Sequence, residues 1–259
     1  MTIKITTALV TGGASGMGRI CALRLARQGT QVAIFDMNDV GMEETAAQSD
    51  NIHCFKCDVA DWEDVQVKVK QVIEELGPID RLTHAAAIMP SRTLVNDEAE
   101  NVMRMMNINF GGTVHMVKAI LPSMLARDSG EMILFGSVAG ESMLPNLGSY
   151  CASKAAVNVY AETLAWELHK TGVNVHVIYP SGVDTPLVEQ ALLVDVPKSI
   201  AHGKESGKLS DPEDIVDAMD KGIAKGKKRI YPCGSRKLSL WHALMPSLWW
   251  KVLLKFEES

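Results

Sequence analysis

The sequence predicts an α/β fold of the doubly wound type, with a mainly parallel sheet and helices on both faces. Apolar runs typical of strands alternate with stretches of helical periodicity, which is the pattern of right-handed β-α-β crossovers. The first apolar run, residues 8–10, enters a glycine-rich turn and then a helical segment that stops at Gly29. A chain of 259 residues can bury one sizeable core, and no linker-like stretch indicates a second domain. We therefore expect a single domain over residues 1–259, of which 236–259 form an apolar C-terminal tail.

The later elements continue this alternation. Further strands are predicted from runs rich in β-branched and aromatic residues, at 31–36, 52–56, 81–86, 131–135, 174–179 and 229–231. Helices are predicted from apolar spacing, at 42–48, 62–76, 99–107, 112–126 and 150–170. Gly77 and Pro78 end the helix at 62–76. Another helix opens at Asp211, because an acid followed by proline is typical of a first turn. The result is a seven-stranded sheet.

The turn after the first strand reads Thr11-Gly12-Gly13-Ala14-Ser15-Gly16-Met17-Gly18. Glycines let the backbone bend tightly and let a pyrophosphate approach the main chain, while the N–H groups and positive dipole end of the next helix attract it. The strand-turn-helix context favours a dinucleotide site over an ordinary flexible loop. Asp36 ends the second strand eighteen residues after Gly18, close to the interval expected for an acid that binds adenine-ribose hydroxyls.

A second group of residues indicates proton transfer. Tyr150 and Lys154 are one helical turn apart, and Ser137 follows the strand at 131–135. We expect the Lys154 ammonium to lie beside the Tyr150 phenol and to lower its pKa, which would suit a general acid or base. By itself this spacing is more often found on a solvated surface helix, so the interpretation depends on the glycine turn.

The predicted topology brings these residues together. In a doubly wound sheet, ligands bind beyond the carboxyl ends of the strands. Asp36, Ala85, Ser137 and the segment after Tyr179 all follow strand ends. We therefore expect one site at this edge of the sheet.

These features together resemble the compact, single-domain branch of the short-chain dehydrogenase/reductase family, over residues 5–232. The glycine fingerprint corresponds to Thr11, Gly12, Gly16 and Gly18. The resemblance implies a Rossmann-type fold and four catalytic residues. Tyr150 would be the acid/base, Lys154 would bind nicotinamide-ribose hydroxyls and lower the tyrosine pKa, Ser137 would hold the substrate oxygen, and Asn109 would help to hold a water in the proton relay.

The resemblance also implies a set of cofactor-binding residues. They are Gly12, Ser15, Gly16, Met17, Gly18, Asp36, Asp58, Val59, Ala85, Ala86, Tyr150, Lys154, Pro180, Val183 and Thr185. NAD is expected over NADP, because the Asp36 carboxylate would repel a 2′-phosphate. Ser15 and Met37 stand where users of the phosphorylated cofactor often carry a basic residue. Asp58 has an alternative role as the cap of the helix at Trp62.

The sequence departs from the family pattern at two places. His84-Ala85-Ala86-Ala87 stands where Asn-Asn-Ala-Gly is usual, and Pro180-Ser181-Gly182 stands where Pro-Gly is usual. We interpret His84 as a satisfied or partly buried histidine, not as a ligand.

The composition argues against several other classes of function. A net charge of −5 and a pI near 5.8 argue against nucleic-acid binding. Five cysteines do not suggest a disulfide framework, and Cys54 and Cys57 lack a second ligand pair for a metal. The absence of an apolar leader predicts a cytoplasmic protein.

The substrate is inferred from apolar segments expected to line its pocket, namely 89–90, 143–145, 147 and 187–196. They favour a hydrophobic secondary alcohol or ketone of the steroid or long-chain lipid type, unless several of them belong to the core or to a dimer seam. The open alternatives are a reductase of an oxoacyl or other small carbonyl compound, and a non-catalytic NAD-sensing protein. We expect a homodimer or homotetramer, in which the tail is a lid, a subunit contact or a peripheral membrane contact through the face of Leu248, Val252 and Phe256.

Overall fold

The computed structural model describes residues 3–258 and confirms the predicted fold class. Seven strands form one sheet in the order β3-β2-β1-β4-β5-β6-β7. They are β1 (Thr7–Thr11), β2 (Gln31–Asp36), β3 (Ile52–Lys56), β4 (Arg81–His84), β5 (Gly130–Phe135), β6 (Val173–Ile178) and β7 (Arg229–Ile230). Pairing is parallel from β3 through β5, with Thr11 opposite Phe35 on one side and His84 on the other.

Eleven α-helices connect or follow these strands within the described part of the chain. They are α1 (Gly16–Arg27), α2 (Asp39–Ala46), α3 (Trp62–Leu76), α4 (Ala99–Met106), α5 (Gly112–Ala126), α6 (Gly148–Glu167), α7 (Pro186–Ala191), α8 (Lys198–Glu205), α9 (Pro212–Ala224), α10 (Arg236–Leu244) and α11 (Pro246–Glu258). In residues 3–258, none of them has the length and apolar character needed to cross a membrane.

The described residues group into two compact units. The first holds the chain up to Ala86 together with Gly111–Phe135 and Tyr160–Val177. Its strands β1, β2 and β5 are almost completely buried, as in a parallel sheet covered on both faces, whereas β3 at the edge is buried only in part. The second holds Ala87–Phe110, Gly136–Val159 and the chain from Ile178 onward.

Most element bounds agree with the sequence prediction, but the segment after β6 differs. Residues 187–196 were expected to line the pocket, and the sequence prediction assigned no helix to them. In the structure they begin within helix α7, and α8 follows. These helices are short, and α7 shows only one and a half turns of pattern, too little for apolar periodicity to reveal.

Candidate active site

In the glycine turn, the backbone at the start of α1 lies close to the backbone at the end of β1. Gly12 and Gly16 have φ values of +70° and +51°, a region that favours glycine. A Cβ on Gly18 would lie 2.1 Å from the carbonyl oxygen of Gly12, so only glycine fits where α1 meets the turn. Ser15, the residue before α1, makes no side-chain capping bond. The first N–H groups of the helix therefore suit an anionic phosphate.

Asp36 holds this turn from the end of β2. One of its carboxylate oxygens accepts a hydrogen bond from Ala14 N at 3.1 Å, and the other accepts one from Asn38 N at 3.0 Å. The two neighbouring cations are each paired with an acid, Arg19 with Glu44 at 2.9 Å and Lys56 with Asp39 at 2.6 Å. Neither Arg19 nor Lys56 is therefore an unpaired cation that could bind a 2′-phosphate beside Asp36.

The residues that replace the usual family motif after β4 are ordered by Thr11. The Thr11 hydroxyl accepts hydrogen bonds from Ala85 N at 3.2 Å and Ala86 N at 3.1 Å, and lies 2.8 Å from His84 Nδ1. His84 is buried, as its interpretation as a structural residue requires. The departure from the family pattern leaves β4 and its pairing with β1 intact.

Asp58 does not cap α3. That position belongs to Asp61, whose carboxylate accepts from Glu63 N and Asp64 N. Asp58 instead accepts from Ala60 N at 2.9 Å within its own turn. The structural alternative for Asp58 is therefore wrong, while its cofactor role stays a prediction. Val59 beside it is buried, and its carbonyl oxygen lies 2.9 Å from His115 Nδ1.

All four predicted catalytic side chains lie in the second unit and are buried there. Tyr150 and Lys154 occupy successive turns of α6, and the Lys154 ammonium lies 5.9 Å from the centre of the Tyr150 ring. Ser137 follows β5, and its hydroxyl accepts from Ala139 N at 3.0 Å. The Ser137 hydroxyl can therefore still donate its own hydrogen. A hydrogen bond from Ser137 lowers the pKa of Tyr150.

The net shift of the Tyr150 pKa is upward, opposite to the lowering that the spacing of Tyr150 and Lys154 predicted. Burial raises the pKa of the Tyr150 phenol, and this effect exceeds the lowering by Ser137. Burial also lowers the pKa of Lys154 from 10.5 to about 8. Both groups are desolvated together, so each loses the hydration that favours its charged form. A helical spacing shows that two side chains share a face, but it carries no information on how deeply they are buried.

Asn109 lies in a π-helical turn, Asn107–Gly111, between α4 and α5. Its amide oxygen accepts from Ile88 N at 2.8 Å, and its amide nitrogen donates to Ile88 O and to the Ser153 hydroxyl, each at 3.0 Å. Ser153 precedes Lys154 on α6. Asn109 therefore links the segment after β4 to the helix that carries Tyr150 and Lys154.

Asn158 is a site residue that the sequence interpretation missed. Its amide oxygen accepts from Ser137 N at 3.2 Å and its amide nitrogen donates to Ser137 O at 2.9 Å, so it holds both polar groups of that residue's backbone. A Cβ on Gly136 would lie 2.0 Å from the Asn158 amide oxygen, and one on Gly140 would lie 2.5 Å from its nitrogen. The two glycines make room for this side chain. The signal was the spacing of Tyr150, Lys154 and Asn158, which are four residues apart on one helical face.

The segment after β6 passes close to Ser137. The Pro180 carbonyl accepts a hydrogen bond from Val138 N at 3.0 Å. Val183 and Thr185 are both buried, and Thr185 is the residue before α7. Its side chain makes no capping bond to that helix, and its hydroxyl donates a long hydrogen bond of 3.5 Å to Val183 O.

A model of the short chain dehydrogenase family matches residues 6–193. The chain belongs to this family. It is thus an oxidoreductase acting on CH–OH groups, with a fold that binds a nicotinamide cofactor.

Two relatives of this short-chain dehydrogenase differ in length. The 17-beta-hydroxysteroid dehydrogenase 13 of Rattus norvegicus is 29% identical over 232 residues, which are 87% of this chain and 74% of that protein. The glycine betaine reductase ATRR of Emericella nidulans is 32% identical over 217 residues, which are 82% of this chain but only 17% of that protein. The chain thus spans less than a fifth of the second relative.

Two solved structures have the same fold as this short-chain dehydrogenase. A short chain dehydrogenase/reductase from Burkholderia phymatum in complex with NAD has a TM-score of 0.78 and 24% identity, covering 89% of this chain and 90% of that one. Actinorhodin polyketide ketoreductase with NADPH has a TM-score of 0.79 and 24% identity, covering 89% and 96%. Both nicotinamide cofactors thus occur on this fold.

Replacing Asn158 with alanine is expected to lower kcat by about 10-fold to 10²-fold, because Ser137 would no longer be held in place. The KM for the dinucleotide should change little. The decisive measurement is a double-mutant cycle in kcat with Ser137→Ala. If Asn158 acts through Ser137, its removal should cost much less once the hydroxyl is gone. Losses that simply multiply would show that Asn158 supports the fold and not Ser137.

Proposed function

We propose that this short-chain dehydrogenase uses NAD to interconvert a hydrophobic secondary alcohol and its ketone. The observation that carries the proposal is the apolar surrounding of Tyr150 in the second unit. Tyr150 belongs to a buried cluster that also contains Met89, Met105, Ala139, Leu147, Cys151, Val188, Ala191 and Ile200. Ile88, Leu144, Leu187, Leu192 and Leu209 pack against this cluster and are only partly buried.

The partly buried members are the ones that favour a hydrophobic substrate. Leu144, Leu187 and Leu192 come from the segments expected to line the pocket, whereas Leu193 and Val194 of the same segment are exposed. Apolar walls beside a proton-transferring phenol suit a substrate whose body is hydrocarbon. The name of the rat relative, a 17-beta-hydroxysteroid dehydrogenase, supports the same class.

The residues of the first unit fit an adenine dinucleotide. The close approach at Gly12 and Gly18 and the uncapped start of α1 suit its pyrophosphate, and Asp36 suits two ribose hydroxyls. Lys154 and Thr185 are assigned to the nicotinamide half. When bound, the nicotinamide supplies the hydride acceptor.

Residues of the chain itself carry out the proton transfer. During oxidation, the Ser137 hydroxyl donates a hydrogen bond to the substrate oxygen and fixes it beside Tyr150. Tyr150 in its phenolate form accepts the hydroxyl proton while the carbinol hydrogen leaves as hydride. Lys154 stabilises that phenolate by its positive charge, and Asn109 and Asn158 hold the two backbone segments in place. In reduction, Tyr150 returns the proton to the carbonyl oxygen.

The test is a spectrophotometric screen of the purified protein with NAD and a panel of hydrophobic secondary alcohols, repeated with NADP and with short-chain alcohols. We expect turnover with NAD that increases with the hydrocarbon bulk of the alcohol. Activity confined to the short-chain alcohols would favour the alternative that acts on small carbonyl compounds, and NAD binding without turnover on any substrate would favour a sensor.

Replacing Asp36 with asparagine is expected to lower kcat/KM for NAD by about 10-fold to 10²-fold, because a charged hydrogen-bond acceptor for the ribose is lost. The preference for NAD over NADP should shrink, since the repulsion of a 2′-phosphate disappears with the charge. The matched control is Asp50→Asn, which removes an exposed carboxylate between α2 and β3 in the same unit. An equal effect of both substitutions would refute a specific role for Asp36.

A further inference from the structure

The C-terminal part of the chain has a charge composition unlike the rest. Residues 221–256 contain nine lysines and arginines and no aspartate or glutamate. All 31 acidic residues and the other 17 cations lie elsewhere in a chain whose net charge is −5. The cations of α10 and α11, Arg236, Lys237, Lys251 and Lys255, are exposed. Because Glu257 and Glu258 end α11, these two helices together have four cations and two acids, which gives them a net positive charge on a protein that is negative overall.

One face of α11 packs against other elements of the second unit, to which the helix belongs. Trp249 is buried, and its indole N–H donates to Met143 O at 3.0 Å. The Glu257 carboxylate accepts hydrogen bonds from Lys198 N at 2.8 Å and Ser199 N at 3.1 Å, at the start of α8. Trp249 also packs edge-on against Trp241 of α10, with ring centres 5.1 Å apart. These contacts hold α10 and α11 in place on one side. The opposite side of α11 is therefore presented to solvent in a defined orientation.

That other face is apolar and exposed. Leu248 and Val252 lie one turn apart on α11 and are 45% and 43% exposed, and Leu244 and Met245, just before this helix, are 76% and 52% exposed. Phe256, one turn further along, is 37% exposed, and its ring lies 5.6 Å from the ring of His202 in α8. Lys251 and Lys255 lie beside these apolar residues on α11. An apolar stripe with lysines beside it is the pattern of a helix that lies in the interface of a bilayer.

We propose that α10 and α11 form a docking surface for a membrane that contains anionic lipids. Charge complementarity favours this occupant over a second copy of the chain. In a two-fold dimer the same patch, with its excess of cations, would be buried against itself. Anionic headgroups instead neutralise them while the apolar stripe enters the acyl boundary. Docking does not depend on the reaction that the enzyme catalyses.

The test is flotation of the full chain with vesicles of phosphatidylcholine alone or mixed with phosphatidylserine. We expect binding to the mixed vesicles that weakens as salt is raised. Lys251→Glu combined with Lys255→Glu should weaken it by at least about 10-fold, since each lysine near an anionic surface contributes about fivefold. Leu248→Ser combined with Val252→Ser should also weaken it. The matched controls, Lys70→Glu and Val67→Ser, change exposed residues of α3 and should have no effect.

Two results would overturn the proposal. One is the absence of binding to phosphatidylserine vesicles, and the other is binding that the α11 variants leave unchanged. Size-exclusion chromatography of the same variants identifies the competing occupant. If the wild-type chain does not float and the α11 variants dissociate an oligomer, the surface is a subunit interface.

Discussion

Replacing Tyr150 with phenylalanine is expected to lower kcat for alcohol oxidation by about 10²-fold to 10⁴-fold, the range that general acid–base catalysis contributes. The substitution removes only the phenolic oxygen from a side chain that is otherwise packed in an apolar cluster, so the ring can keep its place. The dissociation constant for NAD should change little, because the residues assigned to its adenine half lie in the first unit.

The measurement pairs steady-state kinetics with fluorescence titration of NAD. Tyr160→Phe is the matched control, since it removes the same atom from a half-buried tyrosine on the same helix, ten residues further along. We expect that control to retain full turnover. Turnover retained by the Tyr150 variant would refute the assignment of the acid/base, whereas loss of NAD binding would show that the phenol supports the cofactor site.

The sequence predicted the structure best at positions where the local geometry accepts only one type of residue. Gly18 could be assigned to a close approach because no other residue fits within 2.1 Å of a carbonyl oxygen. Strand and helix bounds were predicted well for β2, β3, α3 and α5, where turn residues or glycines mark the ends of a periodic stretch. The cap of α3 was harder to assign, because Asp58 and Asp61 are both acids in suitable positions and only the hydrogen bonds distinguish them.

The sequence was least informative about properties that depend on three-dimensional burial. The spacing of Asn158 from Tyr150 and Lys154 places it on the same helical face but does not show its function, which arises from contact with a residue 21 positions earlier in the chain. The pKa values of Tyr150 and Lys154 depend on desolvation by many neighbours, and their spacing predicted the wrong direction for the tyrosine. A sequence motif can therefore assign residues to a site without predicting how the site tunes them.

Replacing Lys154 with methionine is expected to raise the free energy of unfolding at pH 7 while it removes most of the activity. The lowering of the lysine pKa from 10.5 to about 8 means that the folded protein holds this ammonium at a cost. At about 1.4 kcal/mol per pKa unit, removal of the charge should stabilise the fold by up to about 3 kcal/mol. Methionine is similar in length and needs no hydration, so it can fill the same buried space.

The pH dependence of this gain follows from the same shift. Below pH 8 the lysine is charged in both states, so the wild-type protein bears the full cost. Between pH 8 and 10.5 the folded chain releases the proton before the unfolded chain does, so wild-type stability rises with pH relative to the variant. The advantage of the methionine variant should therefore be largest below pH 8 and disappear toward pH 10.5. Any contribution from the raised pKa of Tyr150 is common to both proteins to a first approximation.

Urea denaturation at several pH values, followed by tryptophan fluorescence, measures this difference directly. Lys170→Met is the matched control, since it removes an exposed lysine just beyond the end of α6. That control should change stability little at any pH. A Lys154 variant that is less stable than the wild type at pH 7 would contradict the prediction, because it would mean that the contacts of the ammonium outweigh its desolvation. A more stable but inactive variant would show that this enzyme retains a destabilising buried charge for the sake of its chemistry.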